Sequence, residues 1–166
     1  YLKDGSEYNA NVSYSIEEGA PLGTAGCVKN IESQLDGTFI VISGDSLTDF
    51  DLTAAIKFHK EKKSKATIVL TRVTNPLEFG VVITDPDGKI ERFLEKPTSS
   101  EVFSDTINTG LYILEPEVLK YLPENTETDF SKDLFPLLLK NNDPMYGYIA
   151  EGYWCDVGNL ETYRTS

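Results

Sequence analysis

The stretch TFIVISGDSLTDFDLTAAIKFHKEKK runs from Thr38 to Lys63. Its first six residues are a short apolar run rich in β-branched side chains. That pattern predicts a buried, parallel strand. Gly44-Asp45 ends the run with a tight turn. Asp51 or Thr53 then supplies a helix cap, and Leu52, Ala55, Ile56 and His59 recur at helical spacing. A strand, a short polar turn and an amphipathic helix form a β-α unit. The same alternation continues along the chain. Cys27 to Leu35 predicts a helix, KATIVLTRV at Lys65–Val73 a strand, and INTGLYIL at Ile107–Leu114 another, followed by a short helix from Glu115 to Leu122. DFSKDLFPLLLKN starts a further helix at Asp129, MYGYIAEGYWCDVG reads as one or two strands, and NLETYR enters a last helix. Val12, Tyr14 and Ile16 alternate as in a strand. In GVVITDPDGKIERFLEK, Asp-Pro-Asp-Gly supplies a hairpin turn, so antiparallel pairing is expected as well. The expectation is an α/β/α sandwich with a mixed, mainly parallel sheet.

The bulk numbers set limits. A chain of 166 residues with 40% hydrophobic and 25% charged residues suits one soluble domain, taken as residues 1–166. Its formal net charge of -12 disfavours nucleic acid and anionic membrane as partners. No apolar run is long enough to cross a membrane as a helix, and no signal peptide opens the chain. The two cysteines, Cys27 and Cys155, lack metal-ligand spacing, which points to a reducing cytoplasm and leaves one bridge between them open. The chain opens YLKDGSEYN without an initiator methionine, so it is expected to be part of a longer protein.

In open α/β sheets, ligands gather beyond the carboxyl ends of the strands. Asp45 stands there after one strand, as a magnesium ligand or a turn aspartate. Asp156 in WCDVG stands after another. Brought together, the two would share a Mg²⁺ with substrate phosphates. Lys96 could neutralise a phosphate and Glu95 could accept from sugar hydroxyls; the two also make an ordinary surface ion pair. PLGTAG at Pro21–Gly26 offers backbone amides to an anion or a base edge, or is simply a helix-capping loop. His59 reads as a core-edge histidine, since it lies mid-helix beside Ile56 rather than at a strand end.

Taken in order, PLGTAG, ISGDSLTDFDL, FGVVITDPDGKIERFLEKP, INTGLYIL, DFSKDLFPLLL and GYWCDVG resemble the sugar-phosphate nucleotidyltransferases. The resemblance covers essentially the whole chain and leans towards mannose-1-phosphate guanylyltransferases. It implies a Rossmann-like fold. It implies a cytoplasmic enzyme that joins a nucleoside triphosphate, GTP by preference, to a sugar 1-phosphate and releases pyrophosphate, with Mg²⁺ as cofactor. By motif, Asp45 and Asp156 are its metal ligands and, with Lys96, its catalytic residues. Gly80, Glu95, Asn108, Thr109 and Trp154 form the sugar site. Gly23 and Thr24 belong to the loop that meets the nucleotide base. The resemblance allows a homo-oligomer.

The chain departs from the family at its start. The glycine-rich phosphate loop, with its arginine and following lysine, does not occur. The chain is therefore expected to be the C-terminal, sugar-binding part of the catalytic domain, with an incomplete sheet and no useful turnover alone. Three alternatives stand beside guanylyl transfer: a glucose-1-phosphate nucleotidyltransferase, a non-catalytic module that binds sugar nucleotides, and a nucleotide-sugar glycosyltransferase. The last is disfavoured because GDS carries one aspartate where that class wants two flanking a single residue.

Overall fold

A computed structural model describes residues 2–76, 79–95 and 104–166, with the side chain of Glu95 left out. Its main sheet holds β1 (Phe39–Ile42), β3 (Ala66–Arg72), β4 (Gly80–Thr84), β5 (Ile90–Glu95), β6 (Thr106–Leu114) and β7 (Met145–Ile149), in the order β5-β4-β6-β3-β7 with β1 also on β6. The pair β3–β7 is parallel; β1–β6, β3–β6, β4–β6 and β4–β5 are antiparallel. The sheet is thus mixed. The strands β1, β3, β4 and β7 share one direction, while β6, set among them, runs against its neighbours.

One finding corrects the reading of Phe39–Ile42. This strand pairs antiparallel with β6, and Ile40 and Ile42 are 37% and 50% exposed. The apolar run packs on one face only, where Phe39 and Val41 are partly buried against the core. A second correction concerns Val12–Ile16. These residues join no sheet, and Tyr14 and Ile16 are 65% and 82% exposed. Alternation favours a strand only where another strand supplies hydrogen bonds.

The strand β3 is buried on both faces, and its alternation feeds two cores. Ile68 and Leu70 meet Leu114, Phe130, Phe135 and Leu138 on one side. Val69 meets Phe50, Ala55, Leu111 and Ile113 on the other. The second core is roofed by α2 (Leu52–Glu61), whose N-cap Asp51 accepts from Ala54 N at 3.0 Å. His59, on the buried face of α2, is 1% exposed. Its Nε2 donates to Glu115 Oε1 at 3.0 Å, and its Nδ1 shares a hydrogen bond with the Thr67 hydroxyl at 2.8 Å. Thr38 Oγ1 donates to the same Glu115 oxygen at 2.6 Å. Burial pushes the Glu115 carboxyl up, but these two donors outweigh it and hold the group below its ordinary value.

The first core is covered by α1 (Gly23–Lys29), the 3-10 turn Pro116–Tyr121, a π-turn at Phe130–Leu134 and α3 (Phe135–Lys140). The short ribbon of β2 (Ser46–Thr48) and β8 (Trp154–Asp156) stands apart from the main sheet, and α4 (Leu160–Thr165) follows it. The hairpin turn is closed by Asp85 Oδ1, which accepts from Asp87 N and Lys89 N, and by Gly88 at φ +83°. Gly147 N donates to Gly88 O at 2.8 Å, so this turn is tied to β7. Cys27 and Cys155 are both free thiols. No helix of the described residues is long and apolar enough to cross a membrane.

Candidate functional site

Beyond β1, Ser46 N donates to Ser43 O at 3.1 Å and closes a turn that carries Gly44 and Asp45. The chain then enters β2, where Ser46 lies opposite Asp156 of β8. Val157 N donates to Asp45 O at 2.9 Å, continuing the ladder. Asp45 and Asp156 therefore sit one rung apart on neighbouring strands, and both are exposed. Beside them opens a cleft of about 450 Å³ lined by Gly44, Asp45, Ser46, Leu47, Val157 and Tyr163. Among the described residues no cluster of three or more His, Cys, Asp or Glu is poised for a metal. Two exposed carboxylates without a third protein ligand do not make an all-protein cage; a magnesium ion held by them would need water and phosphate oxygens to complete its shell.

A second pocket, of about 280 Å³, opens between the hairpin and the π-turn. Gly80 and Asn108 line it, together with Phe93, Ser131, Lys132 and Pro136. Glu95 is paired with Gly80 across β4–β5, so its backbone stands at the same end of the hairpin. Asn108 enters from β6, where the pairing with β3 shifts register between Val69 and Leu70. Its Oδ1 accepts from Gly110 N at 2.9 Å, and its Nδ2 donates to Tyr112 Oη and Ser131 Oγ, both at 3.2 Å. Gly110 takes φ +77°, and a Cβ there would lie 3.0 Å from Ser43 Oγ. Glycine thus serves both the irregular backbone and the close approach of the Asp45 turn.

Thr109 faces the other way. Its side chain is buried and donates to Val69 O at 2.7 Å. Its carbonyl accepts from Trp154 Nε1 at 3.1 Å and from Ser46 Oγ at 3.4 Å. Trp154 also meets the edge of Phe79, with ring centroids 5.8 Å apart. Thr109 and Trp154 thus tie β6 to the ribbon of β2 and β8. Lys96 lies outside the described residues.

Gly23 and Thr24 line neither cleft. They open α1, which packs on the segment before the π-turn. A Cβ on Gly23 would meet Thr128 O at 2.5 Å. Thr24 Oγ1 donates to Asp129 Oδ2 at 2.8 Å and accepts from Phe130 N at 3.1 Å. Asp129 in turn accepts from Ser131 N and Lys132 N through its other oxygen. Thr24 therefore braces the turn that presents Ser131 and Lys132. Sequence reading missed these two as site residues. The available signal was an aspartate cap two and three positions ahead of a hydroxyl and a cation.

The profile of a family described as nucleotidyl transferase matches residues 1–166. A UTP–glucose-1-phosphate uridylyltransferase of Synechocystis sp. is 42% identical over 98% of this chain and 45% of its own length. Mannose-1-phosphate guanyltransferase of Debaryomyces hansenii is 40% identical over 95% of this chain and 44% of its own. Mannose-1-phosphate guanylyltransferase of Mycobacterium tuberculosis is 36% identical over 96% and 44%. The chain thus spans less than half the length of these relatives. Among solved structures, HddC of Yersinia pseudotuberculosis, complexed with GMP-PN, superposes with a TM-score of 0.75 at 27% identity, over 90% of this chain and 63% of that one. A Bacillus anthracis protein assigned as a glucose-1-phosphate thymidylyltransferase shares the fold, with a TM-score of 0.84 at 24% identity over 99% of this chain and 67% of that one.

Proposed function

Because the chain belongs to the nucleotidyl transferase family, we propose that the protein it forms moves a nucleotidyl group from a nucleoside triphosphate to a sugar 1-phosphate. A phosphate oxygen of the sugar attacks the α-phosphorus, the bond to the β-phosphate breaks, and pyrophosphate leaves. The nucleophile belongs to the substrate, so positioning and charge stabilisation carry the chemistry. The observation that carries this reading is the pairing of β2 with β8. It brings the turn that carries Asp45 onto the strand neighbouring Asp156, with the two residues one rung apart.

Each residue has a role in this reading. Asp45 and Asp156 would hold Mg²⁺, which supplies neutralising charge to phosphate oxygens when bound. Gly80 lets a sugar approach the β4 backbone. Asn108, with Glu95, shapes the hydroxyl side, and Trp154 walls the junction. Lys96 is assigned to the sugar phosphate. The 166 residues supply the sugar-binding part of the catalytic unit.

For the substrates we propose GTP and mannose 1-phosphate, supported by the guanylyltransferase relatives at 36% and 40% identity. The Synechocystis relative at 42% favours UTP and glucose 1-phosphate as the second reading. Two free thiols suit a cytoplasmic setting. The test is pyrophosphate release by the longest natural protein containing this chain, with each triphosphate, each sugar 1-phosphate and Mg²⁺. Turnover with one pair names the substrates. No release with any pair overturns the reading.

A further inference from the structure

Asn108 lines the sugar-side pocket, yet its two amide protons are already spent. Gly110 N can only donate, so Oδ1 must face it, and both Nδ2 protons go to Tyr112 and Ser131. Ser131 Oγ accepts from Asn108, which frees its hydroxyl proton to point elsewhere. Lys132 lines the same pocket, and among the described residues its ammonium has no carboxylate partner. The two are adjacent in the π-turn, whose i to i+5 bonding is rare and recurs at functional sites. Asp129 holds both of their backbone N–H groups, at 2.8 and 3.0 Å.

Resting on the sugar 1-phosphate reading, we propose that Ser131 and Lys132 read the sugar hydroxyls, and that Asn108 is a positioning residue that holds Ser131. Both free groups are donors, so the ligand must offer oxygen lone pairs on that side. The wall formed by Val82, Phe93 and Pro136 is apolar. A pyranose matches this pocket, with ring C–H groups against the wall and hydroxyls towards the π-turn. A phosphate dianion set against that wall would lose hydration with a single ammonium to offset it.

The test uses the longest natural protein containing this chain, with its sugar 1-phosphate and the monodeoxy analogues. Lys132→Met keeps the side-chain length and removes the ammonium. The expected result is a KM for the sugar 1-phosphate raised about tenfold, as for a lost hydrogen bond to a charged group. The loss falls on KM rather than on kcat, and the melting temperature does not move. One deoxy analogue should show the same loss with the parent protein and no further loss with Lys132→Met. Ser131→Ala should give the same pattern with a smaller size. An unchanged KM in both variants overturns the assignment. So does a KM raised equally for every analogue, which would place Lys132 on the phosphate. Absence of any turnover by the parent protein removes the sugar 1-phosphate reading itself, and this assignment with it.

Discussion

The indole N–H of Trp154 donates to the carbonyl of Thr109 at 3.1 Å, while the Thr109 hydroxyl donates to Val69 O at 2.7 Å. One residue of β6 thus bonds to the carboxylate ribbon and to β3. Trp154→Phe keeps an aromatic ring beside Phe79 and removes the indole donor. It should lower stability by about 1 kcal/mol. It should also loosen Mg²⁺ binding, because the ribbon that carries Asp156 loses its tie. Urea denaturation and a magnesium titration check both; an unaltered magnesium affinity would show that the tie does not position the ribbon.

Asp45→Asn and Asp156→Asn remove one carboxylate each without emptying any core, since both side chains are exposed. Each should cut Mg²⁺-dependent pyrophosphate release by on the order of 100-fold or more. Circular dichroism should match the parent protein. Activity within a few-fold of the parent would remove that residue from the metal site.

Gly110→Ala should destabilise by about 1–2 kcal/mol, because a side chain at φ +77° is strained and its Cβ would crowd Ser43. The damage should reach both clefts, as Ser43 belongs to the Asp45 turn and Gly110 N holds Asn108. A denaturant midpoint equal to that of the parent would contradict the strained backbone.

Glu115 predicts an acid dependence. Its carboxyl is held below its ordinary value of 4.5 by Thr38 and His59. A depressed carboxylate adds stability that is present above 4.5 and lost as pH falls through the lower folded value, because the unfolded chain takes up the proton first. Glu115→Gln should remove that part of the acid dependence and should cost stability near neutral pH. Melting temperatures measured from neutral pH down past 4.5 give both numbers. Parallel curves for the two proteins would show that Glu115 is not the linked group.

Local signals carried much of this architecture. Asp51 as a cap, Asp-Pro-Asp-Gly as a turn and the two-faced apolar run of β3 were all visible as short patterns, because their causes are local. The tripeptide Ser46–Thr48 was not seen as a strand, since its partner Trp154–Asp156 lies far along the chain. The exposed face of β1 was hidden for the same reason: burial depends on what lies opposite. At the site, Asp45, Asp156, Gly80 and Asn108 stood out by residue type and by family resemblance. Ser131 and Lys132 looked like the polar face of a helix. Only the hydrogen bonds that use up the Asn108 amide protons give them a role. Thr24 is a similar case, as its bond to Asp129 joins segments far apart in sequence.

The tie between Gly88 and Gly147 has a consequence for the order in which the molecule can be made. A ribosome releases the β4–β5 hairpin and β3 well before Met145–Ile149. Until those residues emerge, β3 lacks its parallel partner and the hairpin turn has nothing to rest on. The ribbon comes later still, since Asp45 waits for Val157 before its carbonyl is paired. The pairing of β2 with β8 therefore forms only in a chain translated through Asp156, so a polypeptide released earlier would carry Asp45 without the strand that neighbours it.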